Sequence, residues 1–381
     1  MKILMVCDVL GEENNGTTVA AMNLIRSLRS KGHEVRIVCP DQDKEGTPGY
    51  YVIPSFNLGP LNGYVRKNGV TLANPKREIL EVAMDGVDAV HIMIPFRTGH
   101  AAAVLAKEKH LPVTAGFHCQ AENFSNHVFL MNAKWFNRAV YRFFDRYVYS
   151  RVDCIHYPTE FIREVYETTV GHKTNGLVIS NGVNRIFTPG EDMAPPKDQY
   201  VILFIGRYSK EKSHKVLING VARSRYADRI QLVFAGAGPL EKKLRKYAAK
   251  RLKNPPVMQF FTRQELVQMI RSADLYVHPA EIEIEAISCL EAIACGLVPV
   301  IADSPRSATR FFALQEENLF HYNDPDALAQ RIDYWLESPE RRARCRQAYL
   351  GYAKEFDQVA CMDKMEQMII DVAGRKRVEA G

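Results

Sequence analysis

Short apolar runs alternate with stretches of helical periodicity along this chain, and no other feature constrains its fold as strongly. Strand-like runs fall at 2–7, 34–39, 89–94, 113–117 and 154–157, with helical spacing at 19–31, 76–84 and 100–109 between them. On the first helix Ala20, Leu24, Ile25 and Leu28 share one face. The alternation predicts an α/β fold with a parallel, doubly wound sheet. A second series follows at 200–206, 231–235, 257–260, 275–278 and 298–302. With 381 residues the chain is long enough for two domains, each with its own core. The polar, proline-bearing segment 189–198 separates the two series and reads as a linker, giving an N-terminal domain over 1–188 and a C-terminal one over 199–355.

The second series carries the densest chemistry. After the strand 275–278, Pro279 ends the extended run, residues 284–295 have helical spacing, and Gly296 stops the helix. In open parallel sheets ligands sit outside the carboxyl ends of strands, where helix N-termini offer N–H groups and a positive dipole to phosphate. Glu283 lies in the loop and Glu291 about two turns further on. One carboxylate can meet a group at the helix mouth while the other accepts hydroxyl hydrogens deeper in, which suits a sugar and a ribose. Alone, the stretch has a second, lesser reading as a surface helix with solvated glutamates. The strand at 200–205 ends in Gly206-Arg207 with Lys212 beyond, a diphosphate clamp in which arginine chelates two oxygens and lysine adds a mobile charge. By itself that is also a solvated basic turn. Gly236-Ala-Gly238-Pro-Leu-Glu241 is a further strand exit through glycines. In the first series the loop 11–18 lacks the spacing of a dinucleotide fingerprint, but Gly16 just before the helix allows close approach by a ligand.

Composition narrows the class. At 46% hydrophobic and 25% charged residues the chain folds and is not disordered. Eight scattered cysteines without a Cys-x-x-Cys pair read as free thiols in a reducing cytosol. The apolar run in Met1–Asp8 is too short for a signal peptide, and no run approaches the roughly 18 residues of a membrane span, so any membrane contact is expected to be peripheral. The basic run from Lys242 to Lys253 has no nucleic-acid motif beside it, and no nucleic-acid partner is expected. Asp41-x-Asp43 and Asp324-x-Asp326 have the spacing of metal ligands, yet the first lies in a loop and the second opens a helix as cap and dipole partner, so no metal is expected.

Taken in order, Gly206-Arg207 with Lys212, Gly236-x-Gly238-Pro-Leu-Glu, Ala273-Asp-Leu with Pro279, and Glu283-x7-Glu291-Ala-x-Ala-x-Gly296 resemble the C-terminal domain of retaining glycosyltransferases of family 4. Ile179-Ser-Asn181-Gly182-Val183 resembles the segment before the linker of that family. The resemblance implies a GT-B fold, two Rossmann-like domains facing across a cleft, with a C-terminal crossover helix at about 356–381 returning to the first. It implies a nucleotide-diphosphate sugar as substrate, with no cofactor. Carried onto this chain, it makes Arg207, Lys212 and Gly16 the phosphate neighbours and Glu291 the ribose acceptor. Glu283 and His118 become the candidate catalytic residues at the sugar, and Ile284, Glu285, Ala286 and Ile287 the donor-sugar loop. Where many members have Glu-Gly-Phe-Gly, this chain has Glu283-Ile-Glu285-Ala, without glycine's freedom.

That variant, Asp303-Ser-Pro-Arg306, and Phe117-His118-Cys-Gln120-Ala-Glu122 are similar to the bacterial branch that glucosylates diacylglycerol. The resemblance then implies UDP-glucose as donor and a lipid acceptor at the cytoplasmic face of the membrane. Physically, Lys134, Arg138, Arg142 and Arg146 form one basic stripe on a helix, with Trp135 beside them and Phe136, Val140, Phe143, Phe144 and Tyr147 opposite. Such a helix can lie in the interface of an anionic membrane, or it packs its aromatic face on the sheet and solvates the other. Arg66-Lys67 and Lys76-Arg77, flanking a loop with Leu61 and Tyr64, are a possible second contact.

Overall fold

The computed structural model describes residues 1–8, 10, 16–55, 73–126, 130–190 and 198–380. Leu61, Tyr64, Arg66, Lys67 and most of the expected linker lie outside them. The chain divides into two compact units, Met1–Asn181 with Val359–Gly381, and Gly182–Gln358.

The first unit is a seven-stranded parallel sheet in the order β3-β2-β1-β4-β5-β6-β7. Its strands are β1 (Lys2–Val6), β2 (Glu34–Cys39), β3 (Tyr50–Val52), β4 (Ala89–Ile92), β5 (Val113–Gly116), β6 (Cys154–Tyr157) and β7 (Gly176–Val178). Every residue of β4, β5 and β6 is buried, as expected of parallel strands covered on both faces. The second unit holds a six-stranded parallel sheet, β10-β9-β8-β11-β12-β13. These are β8 (Tyr200–Ile205), β9 (Ile230–Ala235), β10 (Val257–Gln259), β11 (Leu275–His278), β12 (Pro299–Asp303) and β13 (Leu319–His321). Both sheets are doubly wound, as the alternation predicts. The strands that periodicity missed, β3, β7 and β13, are three-residue edge strands.

Local signals set the helix ends. Thr159 caps helix Glu160–Val170, which Gly171 closes in the left-handed region at φ 88°. Thr262 and Glu265 form a reciprocal capping box on helix Arg263–Ser272. Asp324 accepts from the amides of Asp326 and Ala327, the capping role expected of it. Residues 182–188 belong with the second unit for physical reasons: the Val183 amide donates to the Phe356 carbonyl at 2.7 Å, and Phe187 is buried in that unit's core. Helix Gln358–Ala380 returns to the first unit, where Met362, Met365, Met368, Ile369 and Val372 pack into the core beneath β1 and β2. Lys31 there pairs with Asp363 and Glu366, and His33 Nε2 lies 2.6 Å from Glu366 Oε1.

Candidate active site

Each sheet has one point where strand order reverses, between β1 and β4 in the first unit and between β8 and β11 in the second. The carboxyl ends of strands beside such a point form the crevice where α/β sheets take ligands. Arg207 and Glu283 follow β8 and β11 at the second of these points, the helix that opens at Gly16 follows β1 at the first, and His118 follows the neighbouring β5.

In the second unit β8 runs into Gly206 and the half-buried Arg207. This loop is stitched to the one after β9: the Gly206 amide donates to Ala235, Tyr208 to Ala237 at 2.9 Å, and Leu240 to the Tyr208 carbonyl. A Cβ on Gly236 would stand 2.1 Å from the Gly206 carbonyl oxygen, and one on Gly238 2.6 Å from the Tyr208 nitrogen. These glycines are therefore required for two backbones to touch. Lys212 ends a single 3₁₀ turn, and its ammonium pairs with the Glu283 carboxylate. Both side chains are largely buried. Burial works to raise the Glu283 carboxyl, but the Lys212 charge and the His278 hydrogen bond outweigh it and hold it down to about 2. The Glu283 backbone is fixed as well, since its carbonyl accepts from Ala308 at 2.9 Å.

The helix begins at Ile287, not at 284 as apolar spacing suggests, and runs to Ala294. Ile284, Glu285 and Ala286 form the loop before it, and Glu285 is buried at 3% exposure. Ala286 takes the left-handed conformation, φ 55° and ψ 64°, that glycine adopts without strain. Little more than one turn into this helix, Glu291 has its carboxyl pushed up to about 8 by burial, against the pull of the Arg263 guanidinium. Arg263, at the start of its own helix, was not distinguishable by sequence from any other surface arginine.

In the first unit Gly16 is the opening residue of helix Gly16–Ser30, three residues earlier than periodicity indicates, and a Cβ there would meet nothing within 4 Å. The Thr17 hydroxyl donates to the His118 carbonyl at 3.4 Å, which brings the two predicted residues together. The His118 ring folds back over Gly116, where an added Cβ would lie 2.4 Å from Nε2, and stands 5.4 Å from the His156 ring. Burial, with His156 and His91 nearby, keeps its pKa well below the ordinary value. His118 is therefore a neutral hydrogen-bonding group at pH 7. Asp8, past β1, accepts from the Thr98 amide at 3.1 Å, the Thr98 hydroxyl at 2.5 Å and the Gly99 amide. It fastens helix Arg97–Glu108 to the reversal point, a role the sequence does not announce.

Helix Lys134–Tyr147 buries Asn137, Val140, Tyr141 and Phe144. Tyr141 donates to Glu122 at 3.0 Å, tying this helix to the segment just beyond His118. Lys134, Arg138, Arg142 and Arg146 all face outward. Phe143 does not belong to the buried side opposite them, where the helical spacing predicts it: it is 54% exposed, and Trp135 is 70% exposed. At about 100° per residue Trp135 falls between Arg142 and Arg146, and Phe143 at the edge of the same face. Basic and aromatic residues thus share the outer surface. Among the described residues no helix is long and apolar enough to cross a membrane, and no group of acidic, histidine and cysteine side chains has the arrangement of a metal site. All eight cysteines are free.

Comparison with known proteins adds independent findings. The family described as Glycosyltransferase Family 4 matches residues 14–187, and that described as Glycosyl transferases group 1 matches 191–349. Over 99% of its length the chain is 24% identical to 91% of a GDP-mannose-dependent alpha-mannosyltransferase from Corynebacterium glutamicum. It is 21% identical to an alpha-monoglucosyldiacylglycerol synthase from Acholeplasma laidlawii, covering 86% of each. Among solved structures, Anabaena Alr3699/HepE in complex with UDP and glucose superposes on 97% of this chain and 100% of its own with a TM-score of 0.75 at 15% identity. The catalytic domain of cholesterol-alpha-glucosyltransferase from Helicobacter pylori matches 41% of this chain and 98% of its own at 45% identity, with a TM-score of 0.40.

Proposed function

This chain belongs to glycosyltransferase family 4, and on that premise we propose that it transfers glucose from UDP-glucose to diacylglycerol at the cytoplasmic face of an anionic membrane, retaining anomeric configuration and using no metal. The observation that carries the lipid acceptor is the outer face of helix Lys134–Tyr147, where exposed Trp135 lies among four basic side chains and exposed Phe143 lies at their edge. At about 1 kcal/mol per basic side chain near an anionic leaflet, four contribute about 4 kcal/mol, enough for reversible attachment. The synthase of Acholeplasma laidlawii acts in the sense its name states, and this reading extends that to the present chain.

In the proposed reaction Arg207 and Lys212 hold the diphosphate. An ammonium has three N–H donors, so Lys212 can keep Glu283 and take a phosphate oxygen together. Glu291 accepts the ribose hydroxyls, Gly16 leaves room for the phosphates, and neutral His118 donates or accepts at the sugar. The bond between the anomeric carbon and the phosphate oxygen breaks as the acceptor oxygen attacks from the same face. The acceptor's proton passes to the departing phosphate. Charge developing there is met by the two cations and the N-terminus of helix Ile287–Ala294.

The test is mass spectrometry of lipid extracts after incubation with UDP-glucose and anionic vesicles, with and without diacylglycerol. Hexosyl-diacylglycerol formed only in the complete mixture supports the proposal. UDP release without it moves the acceptor to a sterol, tried in parallel vesicles, or to a soluble sugar or polysaccharide end. The mannosyltransferase relative favours one second reading of the donor, in which GDP-mannose alone is consumed. If neither donor is consumed the proposal fails, and other nucleotide-sugar donors come before the reading as a non-catalytic nucleotide-sugar-binding protein.

A further inference from the structure

Glu283 stands at the head of a buried hydrogen-bonded chain. Its carboxylate lies 3.2 Å from His278 Nε2, and His278 Nδ1 lies 2.9 Å from the Tyr276 hydroxyl. The Tyr276 oxygen is 3.2 Å from Ser288 Oγ, which donates to the Ile205 carbonyl at 3.2 Å. His278 and Tyr276 belong to β11 and are 1% and 0% exposed. Ser288 is in the first turn of helix Ile287–Ala294, and Ile205 ends β8. The chain therefore spans the reversal point, from the strand leading to Arg207 to the carboxylate beside Lys212.

Its protons have a definite order. An ionised carboxylate only accepts, so His278 Nε2 carries the hydrogen. In the neutral ring Nδ1 is then an acceptor, and Tyr276 donates to it. The Ser288 hydroxyl, equally far from the Ile205 carbonyl and the Tyr276 oxygen, is shared between them. None of these buried polar atoms lacks a partner, and a satisfied buried network specifies a single arrangement of its members. Lys212 cannot do this alone, because an ammonium on a flexible stem fixes a distance and not the plane of a carboxylate.

We infer that His278, held by Tyr276 and Ser288, is a positioning residue that sets the orientation of the Glu283 carboxylate for the donor sugar. The inference rests on the proposed role of Glu283 at that sugar. It assigns function to a histidine that the sequence marks only as the end of a strand.

The test compares His278→Gln, His278→Asn and His278→Leu in turnover of UDP-glucose with diacylglycerol vesicles, or of GDP-mannose if that is the donor consumed. A glutamine amide reaches the place of Nε2 and donates to Glu283, asparagine reaches only the place of Nδ1, and leucine fills the volume without a donor. Glutamine should keep kcat within about fivefold, while asparagine and leucine lose about 100-fold, the scale of a small misplacement of a reacting group, with UDP affinity within about twofold throughout. A packing role would instead favour leucine. Should His278→Leu not fold, Tyr276→Phe removes one oxygen from the chain and should still lower kcat. It should also shift the Nδ1 nitrogen resonance of His278, a readout that needs no substrate. Wild-type kcat in His278→Leu and Tyr276→Phe, with Glu283→Ala inactive, overturns the positioning role alone. Full activity in Glu283→Ala overturns the reading of Glu283 itself.

Discussion

Replacing Glu291 with glutamine preserves the shape of the side chain and removes its titration. Burial pushes this carboxyl from 4.5 to about 8, so in the folded protein it keeps a proton that the unfolded chain releases above 4.5. The native state then binds more protons than the unfolded one, and stability falls as pH rises from about 4.5 to about 8, levelling off beyond. At about 1.4 kcal/mol per pH unit that interval gives a ceiling of about 5 kcal/mol. The side chain keeps some contact with solvent, which leaves about 2–3 kcal/mol to be expected. Glu291→Gln should therefore gain that much stability over wild type between pH 5 and pH 8.5. Urea unfolding followed by tryptophan fluorescence reads the relevant unit, because Trp335 is fully buried there, whereas Trp135 is already exposed. Saturating UDP should flatten the wild-type slope if ribose hydroxyls donate to the ionised carboxylate. UDP affinity of the wild type alone should rise with pH up to about 8 and level off beyond. Parallel stability profiles for the two proteins would refute the burial argument. A flat profile of UDP affinity would refute the ribose contact and leave the burial argument standing.

Other substitutions test separate parts of the argument. Exchanging Arg138, Arg142 and Arg146 together for glutamine should weaken binding to phosphatidylserine vesicles by about 150-fold, from about 1 kcal/mol each; unchanged flotation would remove the outer face of that helix as the contact. Gly236→Ala forces a Cβ to 2.1 Å from the Gly206 carbonyl oxygen and should cost about 2 kcal/mol or more. Gly16→Ala meets nothing and should leave the melting temperature unchanged while lowering donor turnover, so equal turnover would place Gly16 away from the donor. Ala286→Gly relieves a left-handed alanine and should add about 0.5–1 kcal/mol of stability, and a loss of that size would contradict the strain.

The reach of sequence reasoning follows the range of the interactions involved. The central strands were legible because burial on both faces writes a continuous apolar run, whereas β3, β7 and β13 owe their existence to one neighbour and carry no pattern of their own. Residues 284–286 have helical spacing but do not form helix, because the Glu283 carbonyl is claimed by Ala308, a residue far along the chain. The pairing of Lys212 with Glu283 and the Ser288 hydrogen bond to the Ile205 carbonyl likewise join residues that are distant in sequence. Phe143 was misplaced for a different reason: a helical wheel orders side chains by angle but does not say how wide the covered face is. Here four residues suffice to seat the helix, and the rest of its circumference is left to solvent.

The C-terminal helix has a consequence for the order in which the protein can be made. The first unit's core includes Cys361, Met362, Met365, Met368, Ile369, Val372 and Ala373, which leave the ribosome only after the whole second unit. At about 5–20 residues per second, the groove they fill stays open for on the order of ten to thirty seconds of synthesis. Apolar residues such as Leu24 and Leu28 border that groove. The half made first is thus the half completed last, and its apolar surface stays uncovered over that interval longer than in a protein with domains closed in sequence order.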